Sequence, residues 1–83
     1  MSNAIPVKRS VKVAGHATSI SLEQAFWTAL KDIAAREGRP LAALIAEVDE
    51  TRAGNLSSAL RVHVLEHLQA ERETGNTGGV TDR

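Results

Sequence analysis

His16-Ala17-Thr18-Ser19-Ile20-Ser21-Leu22 alternates without a break: Thr18, Ile20 and Leu22 share one side, Ala17, Ser19 and Ser21 the other. Period-two alternation, apolar-leaning on one face and small and polar on the other, predicts a short half-buried β-strand. Upstream, residues 5–15 are mixed, with Pro6 near one end and Gly15 at the other. Val11 and Val13 in that stretch either extend the strand or form a separate extended piece. A single strand leaves its backbone donors and acceptors without partners, and they must go somewhere. With no second convincing strand in the chain, the expected partner is the same strand of another copy, paired antiparallel across a two-fold axis.

Downstream the period changes. Ser21-Leu22-Glu23-Gln24 has the spacing of a capping box, although Glu23 serves equally as the first helical residue. Phe26, Ala29, Leu30, Ile33 and Ala34 recur at steps of three and four, one apolar face of a helix over 23–36. Gly38 is expected to end it in the left-handed conformation. Pro40 suits the first position of a second helix, whose face is Leu41, Leu44, Ile45 and Val48 and which should run to about Arg52. Gly54 stops that helix, and Asn55 is placed to cap a third over 56–71. The third helix carries Leu56, Ala59, Leu60, Val62, Val64, Leu65 and Leu68, a wider apolar surface than one packing partner needs. The expected organisation is a basic arm over 1–15, a folded domain over 16–73 and a disordered tail over 74–83. Met1-Ser2-Asn3-Ala4 is either native or an expression scar.

At 83 residues, with no cysteine, the chain has neither disulfides nor thiolate metal ligands to support a small core. Oligomerisation is the remaining source of stability, and a homodimer, or a tetramer made of two dimers, is expected. No apolar run approaches a membrane span and the first residues lack a signal-peptide core, so a cytoplasmic, membrane-free protein is expected. Net charge is zero, but unevenly spread. Residues 1–22 hold Lys8, Arg9 and Lys12 and no acid, while the remainder holds seven basic and ten acidic side chains. Such asymmetry suits either an arm aimed at a polyanion or a solvated terminus.

The strand Thr18-Ser19-Ile20-Ser21-Leu22, the helix Phe26-x-x-x-Leu30-x-x-Ile33-Ala34, the Gly38 turn and Leu41-x-x-Leu44-Ile45 resemble the ribbon-helix-helix superfamily of the Arc and methionine repressors. Lys8-Arg9-Ser10-Val11, Gly15-His16 and Gly54-Asn55-Leu56-Ser57-Ser58-Ala59-Leu60-Arg61 look like a bacterial subfamily of largely uncharacterised members. The resemblance implies a mainly helical chain that forms an intertwined homodimer around an intermolecular ribbon, here with an additional C-terminal helix. In that family the ribbon enters the DNA major groove, and outward side chains meet base edges. Carried over, the base-facing positions are Ala17, Ser19 and Ser21. The family's phosphate clamp at the start of the second helix corresponds to Arg39, Pro40 and Leu41. Lys8, Arg9, Lys12 and His16 would reach flanking phosphates, and Ile20, Leu22, Phe26, Leu30, Ile33, Leu44, Ile45 and Val48 would fill the dimer core. Two departures stand out: the ribbon positions lack the long polar side chains of family readers, and Pro40 lacks an N–H.

Other residue types offer less. His63 and His67, four apart on a helix, need further ligands to hold a metal, and no His-Glu-x-x-His motif is present. Ser57 and Ser58 sit where serine commonly starts a helix, and no Ser-His-Asp set converges. Trp27 reads as core or interface. Without a glycine-rich phosphate loop, neither catalysis nor a cofactor is expected. The functional reading is a DNA-binding transcriptional regulator. Its rival is a dimerisation or protein-interaction module of the same fold, with a partner on the third helix. An antitoxin is a third reading, although the tail is short for that role.

Overall fold

The computed structural model of the chain describes residues 5–75. Expectations for residues 1–4 and for the tail beyond Gly75 lie outside the described residues. Two strands and three helices follow one another: β1 (Pro6–Val13), β2 (His16–Glu23), α1 (Gln24–Arg36), α2 (Leu41–Thr51) and α3 (Leu56–Gly75). The strand-helix-helix order with an added C-terminal helix is the expected one. What differs is the strand's partner.

The stretch expected to be a basic arm contains β1, which pairs antiparallel with β2 along its whole length, from Pro6 opposite Glu23 to Val13 opposite His16. The two-residue loop Ala14-Gly15 joins them with positive φ at both positions, 53° and 87°, as a type I′ turn requires. Alanine supplies little turn signal, and Arg9 interrupts the alternation of Val7, Val11 and Val13, so the hairpin is weakly marked in sequence. The ribbon pairing is therefore made within one chain, and the β2 backbone has a partner without a second copy.

Helix α1 begins two residues later than the capping-box spacing suggests, and one later than the alternative start at Glu23. Its N-cap is Glu23, with no side-chain capping bond. Ser21 lies inside β2, so it is not at the helix start. The C-terminus closes as expected on Gly38 (φ 69°). There the Gly38 N–H donates to the Ala35 carbonyl (3.1 Å) and the Arg39 N–H to the Ala34 carbonyl (3.0 Å), a Schellman closure. Pro40 is the N-cap of α2, one position earlier than expected, and its carbonyl accepts from the N–H groups of Ala43 (3.0 Å) and Leu44 (3.3 Å). Asn55 caps α3, its Oδ1 accepting from the Ser58 N–H at 3.0 Å. Helix α3 runs past Glu71 to Gly75, so Thr74 and Gly75 belong to the helix and not to a tail.

The core lies between the inner hairpin face and all three helices: Val13, Ile20 and Leu22 meet Trp27, Leu30, Ile33 and Ala34 of α1, Leu44, Ile45 and Val48 of α2, and Leu60 and Val64 of α3. Of the residues expected in a dimer core, Ile20, Leu22, Leu30, Ile33, Leu44, Ile45 and Val48 are buried inside this single chain. Phe26 is half-buried, and Trp27 takes the position in the core, 0% exposed. The indole Nε1 of Trp27 donates to the Val7 carbonyl (2.9 Å), which fastens β1 to α1. Helix α3 completes this core in cis through Leu60 and Val64.

Candidate nucleic-acid interface

Strand pairing sorts the hairpin side chains into two faces. Val7, Val11 and Val13 stand opposite Leu22, Thr18 and His16, and Arg9 opposite Ile20, on the face that packs on the helices. On the other face Lys8 stands opposite Ser21, Ser10 opposite Ser19 and Lys12 opposite Ala17. Directly opposed residues have Cβ atoms about 5 Å apart. The six side chains therefore form one continuous outward patch of two lysines, three serines and an alanine. All are exposed except Ser21, which is half-buried.

The nearest acid on the strands is Glu23, at the end of β2, and Arg61 neutralises it through Nε–Oε1 and Nη2–Oε2 contacts of 3.0 and 3.3 Å. That hydrogen bond to Arg61 holds the Glu23 carboxyl below its ordinary value, so it stays ionised and paired. Ser57 at the start of α3 donates its hydroxyl to the Ser21 carbonyl (3.1 Å), which anchors β2 to the helix behind it. The six-residue patch thus holds no acid, Glu23 at the next pair on that face (opposite Pro6) is engaged by Arg61, and the strand pair is tied down.

Ala17, Ser19 and Ser21 share this face with Lys8 and Lys12, two residues expected on a flanking arm. Ser10 belongs to the face too. Only the hairpin register reveals it, because no local pattern in 5–15 marks that residue. Arg9 does not belong: its guanidinium lies over the Trp27 ring (5.6 Å to the centroid) and donates to Gln24 Oε1 (3.4 Å). His16 stands beside the turn, lining a groove of about 340 Å³ with Asp49, Arg52 and Asn55. Arg39 is held by Glu37 (2.8 Å) and Glu47. The hydrogen bond to Glu47, ahead of that to Glu37, raises its affinity for its proton. It is committed to carboxylates, and the α2 start keeps only backbone N–H groups such as that of Leu41 for an anion. His63 and His67 lie with ring centroids 6.3 Å apart, and His67 Nε2 is 3.5 Å from Glu71 Oε2, a carboxylate that also pairs with Arg36.

A family profile described as "Ribbon-helix-helix domain" matches residues 6–68, from the first residue of β1 into α3. The chain belongs to the ribbon-helix-helix family. Ribbon-helix-helix domains are typically DNA-binding regulators that act as dimers. Among solved structures, an uncharacterized protein from Bordetella pertussis Tohama I is similar to this ribbon-helix-helix chain at 34% identity and a TM-score of 0.74. The similarity covers 88% of this chain but 63% of the Bordetella chain, so this sequence spans somewhat less than two thirds of that protein. No curated protein matches. Among the described residues no helix is long and apolar enough to cross a membrane.

Proposed function

We propose that this chain binds double-stranded DNA through the outward face of the β1–β2 hairpin and serves as a transcriptional regulator. The observation that carries the reading is that face itself: Lys8, Ser10 and Lys12 register against Ser21, Ser19 and Ala17 with no acid among them. A two-stranded ribbon fits the major groove, and small hydroxyl side chains allow it to approach the base edges closely. No metal or nucleotide has a part in this reading.

Anisotropy of the purified protein with promoter fragments of its own genome and with a scrambled duplex, at low and physiological salt, tests it. Preference for a subset that survives physiological salt is expected, together with its loss in the Lys8→Glu/Lys12→Glu variant. Equal binding to every duplex, or none from folded protein, would remove the reading.

The second reading, self-association through α3, also rests on a specific observation. Val62, Leu65 and Leu68 are 50%, 54% and 48% exposed beside half-buried Phe26, an apolar stripe on a chain whose core is already closed. A second copy on this stripe would bring two ribbons to one duplex and raise avidity without new base contacts. Sedimentation of the wild type against Leu65→Glu checks it, with loss of the larger species expected.

A further inference from the structure

Two histidines of α3 stand apart from the outward face of the hairpin. His63 and His67 are one helical turn apart, with ring centroids at 6.3 Å and ring planes inclined by 35°. Residues four apart share one face of a helix, so the two imidazoles lie side by side. His63 Nε2 is buried and has no hydrogen-bond partner among the described residues. Such a nitrogen costs free energy unless something satisfies it. On the other ring, His67 Nε2 lies 3.5 Å from Glu71 Oε2, and Glu71 is itself held by Arg36 of α1. Glu66, between the two histidines in sequence, lines the same cleft as His63 and has no ion pair among the described residues.

We propose that His63 and His67 chelate a divalent transition-metal ion, Zn2+ or a near neighbour, across one turn of α3. Imidazole suits zinc, copper and nickel, whereas magnesium and calcium take oxygen ligands. At Zn–N distances of about 2.0–2.1 Å, two imidazoles on one tetrahedral ion have their centroids about 5 Å apart. The rings therefore need to approach by only about 1 Å, which rotation about the broad χ2 torsion of histidine supplies. His63 contributes Nε2, the atom that lacks a partner. His67 contributes Nδ1 and keeps Nε2 towards Glu71, because a carboxylate on the far nitrogen of a metal-bound histidine fixes its tautomer and orientation. Among the described residues no third ligand closes the site, so the remaining positions go to water. The unpaired charge of Glu66 favours a cation there. The ion staples α3 beside Leu60 and Val64, the residues through which this helix enters the core, so its binding reads out as stability.

Thermal unfolding of the full, tag-free chain, followed by circular dichroism with Zn2+, with Mg2+ and with EDTA, tests the proposal. Zn2+ at about a hundredfold excess over its dissociation constant should raise the melting temperature by about 10 °C, and Mg2+ should leave it unchanged. His63→Gln and His67→Gln should each abolish the rise while keeping the helical signal. Because His63 is half-buried, the ligands are also read in the wild type by NMR of the histidine rings. Zn2+ should shift the ring resonances of His63 and His67 and leave those of His16, the third histidine of the chain, in place. One ion per chain is expected; one ion per two chains with both rings shifted would keep the chelate and give its water positions to a second copy. An equal rise in the double variant, a shift at only one of the two rings, or no effect of saturating Zn2+ would overturn the proposal.

Discussion

Ala14 turns the chain with φ 53°, a conformation that costs an L-residue about 1–2 kcal/mol. The following Gly15 (φ 87°) adopts its own without strain. Asparagine tolerates the left-handed region, and Asn-Gly is the favoured pair for such a turn, so Ala14→Asn should stabilise the protein by about 0.5–1 kcal/mol in urea unfolding. The Glu23–Arg61 pair is pH-sensitive in a definite direction. Because Glu23 titrates below its ordinary value when folded, its contribution is present above the ordinary glutamate range. It is lost as pH falls through the depressed folded value. Glu23→Gln should therefore lower stability near neutrality and flatten the acid limb of unfolding followed by Trp27 fluorescence. An acid limb identical to wild type would show that the pair does not contribute.

At the scale of elements, α3 is the part whose role local pattern left open. Its burial of Leu60 (0% exposed) and Val64 (3%) makes it a wall of the core. Leu60→Ala should then cost about 2–5 kcal/mol by denaturant melting, as for a fully enclosed leucine. A cost below about 0.5 kcal/mol, the scale of surface changes, would mean that α3 packs only loosely. The hairpin is held from the other side by Trp27. Its indole covers the inner face of β1 and reaches the Val7 carbonyl, while Arg9 lies across the ring. Periodicity placed Phe26 in the core instead, because the two aromatic residues are adjacent and helical spacing alone does not rank neighbours. The inner face of the hairpin, where the Val7 carbonyl waits for a donor, decides between them.

For the whole molecule, core closure within one chain separates folding from assembly. A dimer interlocked through its core unfolds when it dissociates. Here Leu65→Glu, on the exposed stripe of α3, should yield a monomer that retains its helical circular dichroism and the buried emission of Trp27. Unfolding of that variant would instead mean that a second copy is part of the core. Two ribbons acting together would compensate for the modest charge of each outward patch, since two lysines alone supply little of the counterion release that drives DNA affinity.

Local pattern by itself determined the β2 strand, the three helices, the Gly38 stop of α1 and the Asn55 cap of α3, whereas α2 closes at Arg52, ahead of the expected stop at Gly54. Alternation and three-to-four spacing are properties of neighbouring residues and do not depend on what lies across the fold. It also determined the ribbon-helix-helix resemblance, because those same elements carry it. Tertiary structure alone decided where β2 finds its partner, since pairing energy belongs to two strands together and β1 has a weak pattern of its own, interrupted at Arg9. That pairing moved Lys8 and Lys12 from a supposed arm onto the face of Ala17, Ser19 and Ser21, and drew Arg9 inward over Trp27. The packing of the α1–α2 turn likewise set Arg39 against Glu47, eight residues away along the chain on α2. In each case the deciding interaction joins residues that no local period links, so the candidate interface became legible only once the chain was folded.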